Sequence, residues 1–237
     1  GARTRWLRLL AVFRQEPVFT RYCYTAFLWT WAVNLPAPLY AVYLVRDLGG
    51  PEAMWGLVTA ANFLCTVIAQ RYWGFLSQQL GEKRIMLLSG AGASILPVLW
   101  LGLPVPALAI AANGLGGFVW AGYNLASFNL LLALAPPARR TTYVAIYNST
   151  IGLGQALGPL LGGYIADAAG IPLVFVLSTV FRAVGLWLFS RAVDTPMPAM
   201  TAADLLPLWI KWWRQQGTRA VLARLRPSLR RRPRHRG

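Results

Sequence analysis

Six long apolar runs divide this chain, at residues 22–45, 53–76, 85–103, 105–135, 142–166 and 171–193. Each meets or exceeds the ~17–25 residues that a helix needs to cross ~30 Å of hydrocarbon. The strings between them are short and turn-forming: RDLGGPE (46–52), SQQLGEKR (77–84), a lone Pro104, PPARRT (136–141) and DAAG (167–170). Connections this short predict that consecutive helices are antiparallel neighbours. The expectation is an all-α integral membrane protein with six spanning helices.

The basic residues set its orientation. Five arginines precede the first run, Lys83 and Arg84 lie in the second loop, Arg139 and Arg140 in the fourth, and eleven basic residues run from Arg191 to Arg236. Only Arg46 falls on the opposite face, while Arg71 and Arg182 lie within runs. Cytoplasmic loops hold such an excess, so both termini are expected in the cytoplasm. Three segments follow: a basic cytoplasmic linker (1–20), a six-helix bundle (21–193) and a basic cytoplasmic tail (194–237). The start, without a methionine and on a basic stretch, reads as part of a longer protein.

Composition excludes much else. Of 237 residues, 57% are hydrophobic and 13% charged, about half the charge of a soluble domain. Cys23 and Cys65 both sit in apolar runs and give no disulfide framework or metal spacing. The one histidine, His235, is in the tail, and no carboxylate pair lies within a run. An enzyme lacks its parts here, and no cofactor or metal is expected.

The fifth run contains GLGQALGPLLGG (152–163), where five glycines and a proline fill twelve positions. Helices in lipid associate by close backbone approach, which small residues permit. Gly154, Gly158 and Gly162 fall on one stripe, with Gly152, Pro159 and Gly163 round one side. A leucine at Gly158 should therefore disrupt the bundle, whereas Gly170, in a loop, should tolerate alanine.

The order Gly154-xxx-Gly158-Pro159-xx-Gly162-Gly163 resembles a signature of major facilitator superfamily transporters, exporters especially. A second resemblance lies in GFLSQQLGEKR (74–84), where Gly74, Gly81, Lys83 and Arg84 fit that family's loop between its second and third helices. Gln78 stands where the family has an acid and Gln79 where it has a base. The family's fold has twelve helices in two similar six-helix halves. The resemblance implies that this chain is one half, the C-terminal one by its segment 124–148, its eroded acidic loop and its basic tail. It also implies a second six-helix half, or another copy of the chain, as partner.

Polar residues inside spanning helices face protein or water rather than lipid. In the fourth run Asn113, Gly117, Trp120, Asn124 and Ser127 share one stripe. The first run carries Asn34 and then Pro36 and Pro38, which break a helix. The family resemblance makes the first and fourth helices line a central cavity, so Asn34, Asn113, Trp120 and Asn124, with Tyr123 beside them, become substrate-cavity candidates. The alternative is that these amides only join helices. Arg182 is the one charge deep in a run and joins the candidates; its partner must be a carbonyl, an amide or a residue of another half. All seven acids lie in loops, tails or at helix ends, so a proton-coupling carboxylate would lie outside this chain.

The tail continues with DLLPLWIKWWRQQG (204–217), aromatic, basic and amphipathic, a pattern for the membrane interface. Residues 226–237 are polybasic and suit anionic lipid heads; nucleic acid is not an expected partner. The function that the family resemblance implies is a half of a secondary transporter moving a small-molecule substrate by alternating access, outward, in a bacterial inner (plasma) membrane. The alternative is a six-helix scaffold or homo-oligomeric pore without active transport.

Overall fold

The structure, a computed structural model, describes residue 13 and residues 15–194. The tail helix expected at 204–217, the polybasic segment and most of the N-terminal linker lie outside the described residues. Within them the chain folds into seven α-helices: α1 (Pro17–Asn34), α2 (Leu39–Arg46), α3 (Met54–Leu80), α4 (Glu82–Leu101), α5 (Leu108–Leu134), α6 (Arg140–Ala169) and α7 (Ile171–Ala192). A 3-10 turn, Pro137–Arg139, leads into α6. No strand occurs among the described residues.

Six apolar runs thus give seven helices, because the first run breaks. Pro36 has no N–H to return to the Ala32 carbonyl, and the Ala37 N–H turns back to Asn34 O at 3.3 Å. The helix ends at Asn34 and restarts at Leu39, with Pro38 as its cap. Three of the described helices, α4, α5 and α7, are long and apolar enough to cross a membrane. Helices α3 and α6 are as long or longer, at 27 and 30 residues, but their glycines, amides and hydroxyls dilute the apolar content.

Two joints consist of a single glycine. Gly81 separates α3 from α4 with φ 80° and ψ 155°; Gly170 separates α6 from α7 with φ 87° and ψ 158°. Both values lie in the region open essentially to glycine alone. Gly170 is therefore a constrained joint rather than a permissive loop residue, and the expectation that alanine is mild there is reversed.

Short connections give the neighbours only in part, since consecutive α4 and α5 pack closely while the two most intimate pairs are not consecutive. The most intimate pairs are α3 with α5 and α1 with α6, followed by α4 with α5, α1 with α7, and α4 with α7. Consecutive helices α5 and α6 scarcely meet. The reason is that narrow glycine faces admit closer approach than a short loop enforces. The pairing repeats: exchanging α1–α4 for α5–α7, with α1 replaced by α5, α3 by α6 and α4 by α7, maps these five pairs onto themselves. The two glycine joints exchange under the same operation.

Candidate functional site

The glycine stripe faces α1. Gly154, Gly158 and Gly162 are buried in α6. A Cβ at Gly154 would sit 3.0 Å from Trp31 N, and one at Gly158 would sit 2.6 Å from Asn34 Cβ and 2.9 Å from Trp31 O. A Cβ at Gly162 would run into the Leu35 carbonyl oxygen. Gly152 and Gly163 meet nothing within 4 Å, and Pro159 is half-buried. The glycines of α5 do the same for α3: a Cβ at Gly117 would enter the Asn62 carbonyl, and one at Gly122 would sit 2.6 Å from the Trp73 ring.

Amides and hydroxyls then join the paired backbones. Asn62 Nδ2 donates to Asn113 O at 3.0 Å, and Asn113 Nδ2 donates back to Val58 O at 2.9 Å. Thr66 Oγ1 donates to Gly117 O at 3.1 Å and Trp73 Nε1 to Phe118 O at 2.7 Å. Such bonds contribute ~0.6 kcal/mol each inside a membrane. Near the other end of α5 the Tyr22 hydroxyl, Ser127 Oγ and the Tyr147 hydroxyl form a chain, with links of 2.8 and 2.9 Å, joining α1, α5 and α6.

Prolines explain Arg182. Pro97 lies inside α4 and leaves the Ala93 carbonyl without its helical donor; Arg182 Nη1 donates to that oxygen at 2.7 Å. The α1 break strips Ala32 O and Val33 O of theirs. Ser178 Oγ, one turn before Arg182 on α7, donates to Ala32 O at 2.7 Å, and Arg182 Nη2 donates to Val33 O at 3.3 Å. Helix α7 thereby supplies the donors removed by Pro97 within α4 and by the break between α1 and α2. Arg182 is 2% exposed and its guanidinium carbon lies 6.0 Å from the Trp120 ring centroid.

Between α1 and α2 on one side and α3 and α5 on the other lies a cavity of about 290 Å³. Its floor comes from Leu96 and Trp100 of α4 and Arg182 of α7; its walls include Tyr40, Asn62, Asn113 and Trp120. Of the sequence candidates, Asn113, Trp120 and Arg182 come together here. Asn34 does not: its amide donates to Thr30 O at 2.8 Å within α1, and its Cβ is what Gly158 accommodates. Tyr123 stacks on Trp29 at 4.7 Å in a separate tight pocket beside Tyr22, and Asn124 is exposed. Sequence reasoning missed Tyr40, Trp55, Thr59 and Asn62. Asn62 carried a signal, an amide in an apolar run, whereas the others look like ordinary spanning residues.

The loop motif sits at the α3–α4 joint. Gly81 makes the turn, Gly74 has ordinary room, with only Leu125 Cδ2 at 3.9 Å from an added Cβ, and Lys83 is buried. Beside them Glu82 Oε1 accepts from Asn129 Nδ2 at 3.0 Å, tying α4 to α5, and Arg84 Nη1 is buried without a hydrogen-bond partner among the described residues.

The family model described as Major Facilitator Superfamily matches residues 22–233. Multidrug resistance protein MdtG of Dickeya zeae is 37% identical over 160 residues, 63% of this chain and 37% of that protein. MdtG of Yersinia enterocolitica is 34% identical over 182 residues, 70% of this chain and 42% of that protein. The chain therefore spans less than half the length of these relatives. The crystal structure of the human organic anion transporter MFSD10 (TETRAN) superposes with a TM-score of 0.59 at 20% identity, covering 81% of this chain and 52% of that one, a likeness of fold. By the extent of the family match the chain belongs to the Major Facilitator Superfamily, as an integral membrane protein of a transporter family and not as an enzyme.

Proposed function

We propose that this chain forms the C-terminal six-helix half of a transporter that moves a small solute outward across the bacterial inner membrane by alternating access. All six apolar runs span in this reading, the α1–α2 pair as one broken crossing, with both ends in the cytoplasm. A second six-helix half faces the cavity, and the basic tail rests on anionic lipid heads. The observation that carries the reading is the cavity between α1/α2 and α3/α5, which joins a buried arginine and two amides to aromatic walls at the seam between the two three-helix repeats. Discontinuous helices at such a repeat seam are where secondary transporters place their substrate. Outward direction is supported by the relatives, whose name is multidrug resistance protein.

The test uses the full-length protein in a bacterial strain stripped of its main drug exporters. Energy-dependent extrusion of dye and drug probes is expected, and Trp120→Ala should reduce it with the amount of protein in the membrane unchanged. A full-length protein present at normal level that extrudes no member of a broad panel would overturn the proposal.

A further inference from the structure

Arg182 is a buried permanent charge with an unfinished set of partners. A guanidinium has five N–H donors and stays protonated at any working pH. Two nitrogens are used on the Ala93 and Val33 carbonyls, but Nε, fully buried, has no hydrogen-bond partner among the described residues. Carbonyl dipoles satisfy hydrogen bonds without cancelling the charge, and among the described residues the cavity lining holds no acid. The acids of the described residues lie elsewhere, Glu16, Asp47, Glu52, Glu82 and Asp167 at helix ends and turns and Asp194 beyond α7. Within reach of the guanidinium stands the Tyr40 hydroxyl, and the Trp120 face lies 6.0 Å away.

From these observations we infer that the cavity takes an organic anion, a carboxylate, sulfonate or phosphonate on a one- or two-ring aromatic or apolar body, with the Arg182 guanidinium, through the second N–H of its half-buried Nη2, and the Tyr40 hydroxyl holding the acid group. The inference rests on the transport reading of the same cavity and narrows it to a substrate class. Charge-assisted bonds to a guanidinium are about twice as strong as neutral ones and strengthen in a low-dielectric surround. Trp55, Trp100 and Trp120 supply flat walls for the body, and about 290 Å³ sits at the small end of ligand sites. A cation would meet the like charge of Arg182 and be repelled.

The experiment measures binding of three matched probes to purified full-length protein in neutral detergent: 2-naphthoate, 2-naphthylmethanol and 2-naphthylmethylamine. Naphthoate should bind at least tenfold more tightly than the alcohol, with the amine weakest. Tyr40→Phe should weaken naphthoate several-fold and leave the alcohol unchanged. Arg182→Lys keeps the charge and should retain part of the preference, whereas Arg182→Gln should abolish it. If the Arg182 variants fail to fold for want of their carbonyl bonds, the three-probe comparison on unmodified protein and on Tyr40→Phe decides alone. Equal binding of anion and alcohol, or preference for the amine, overturns the inference. Extrusion of neutral or cationic drugs together with that result would sink the substrate class and leave the transport reading standing; absence of all extrusion would sink the transport reading.

Discussion

Alanine at Gly158 is the sharpest test of how α6 seats on α1. The new Cβ would lie 2.6 Å from Asn34 Cβ, 2.9 Å from Asn34 C and 2.9 Å from Trp31 O. Carbon atoms in contact prefer 3.5 Å or more, so the shortfall is about 0.9 Å against the Asn34 Cβ and about 0.6 Å against Asn34 C, with Trp31 O also too close, and no rotamer can move these atoms aside. The helices must separate locally, and overpacking of this kind costs ~1–3 kcal/mol. Glycine-to-alanine also gains helix propensity, so Gly158→Ala is compared with Gly163→Ala, where nothing lies within 4 Å. The propensity gain is common to both and the difference isolates the clash. At roughly 2–4 °C per kcal/mol for a chain of this size, Gly158→Ala should melt several degrees below Gly163→Ala. The assay is thermal unfolding of the full-length protein in detergent, read by loss of the monodisperse chromatographic peak. Equal melting of the two variants would refute the close-contact account of α6.

Other outcomes follow from the same geometry. Gly170→Ala and Gly81→Ala should each cost ~1–3 kcal/mol through backbone strain alone, seen as lower melting temperatures; Gly56→Ala, with open space at its Cβ, serves as the mild control, and parity among the three would contradict the joint reading. Ser178→Ala leaves the Ala32 carbonyl without its donor and should destabilise by ~1 kcal/mol, with Ser178→Thr restoring stability; an alanine variant as stable as the parent refutes the carbonyl repair. Deleting residues 218–237 should leave the core inserted and reduce binding to phosphatidylglycerol vesicles in a salt-sensitive way; loss that ignores salt would show that charge is not what the tail contributes.

Much of the helical layout was legible because length and hydropathy act locally. The ends of α5 and α7 fall close to the apolar runs, and the proline pair marked the break after Asn34. What the pattern did not contain was long-range pairing. Short loops pointed to sequential neighbours, yet α1 packs on α6 and α3 on α5, since contact in lipid is decided by which faces are narrow enough to meet. The stripe Asn113, Trp120, Asn124, Ser127 was a true helical face, but it splits among four environments along its length. Asn113 bonds α3, Trp120 lines the cavity, Asn124 is exposed and Ser127 joins the tyrosine chain. Arg182 was visible as an anomaly, and a carbonyl stood among the partners open to it. Pro97 held the answer in sequence, a proline four residues after the carbonyl it frees, but nothing along the chain says that residues 89 positions apart will meet.

The proline repair also bears on how the chain is made. Helix α7 is the last of these helices to leave the ribosome, and its acceptors, Ala32, Val33 and Ala93, belong to segments synthesised well before it. Alone in lipid its arginine would cost ~2.5–3.5 kcal/mol at the helix centre, and the open carbonyls of α1 and α4 would carry a penalty of their own. The two costs are relieved together when α7 meets α1 and α4, so the proline-freed carbonyls are satisfied only once this last of the described helices is in place. Until then the early segments are held in an unfinished state, and a nascent chain stalled before Ser178 would present the membrane quality-control machinery with unsatisfied polar groups at hydrocarbon depth.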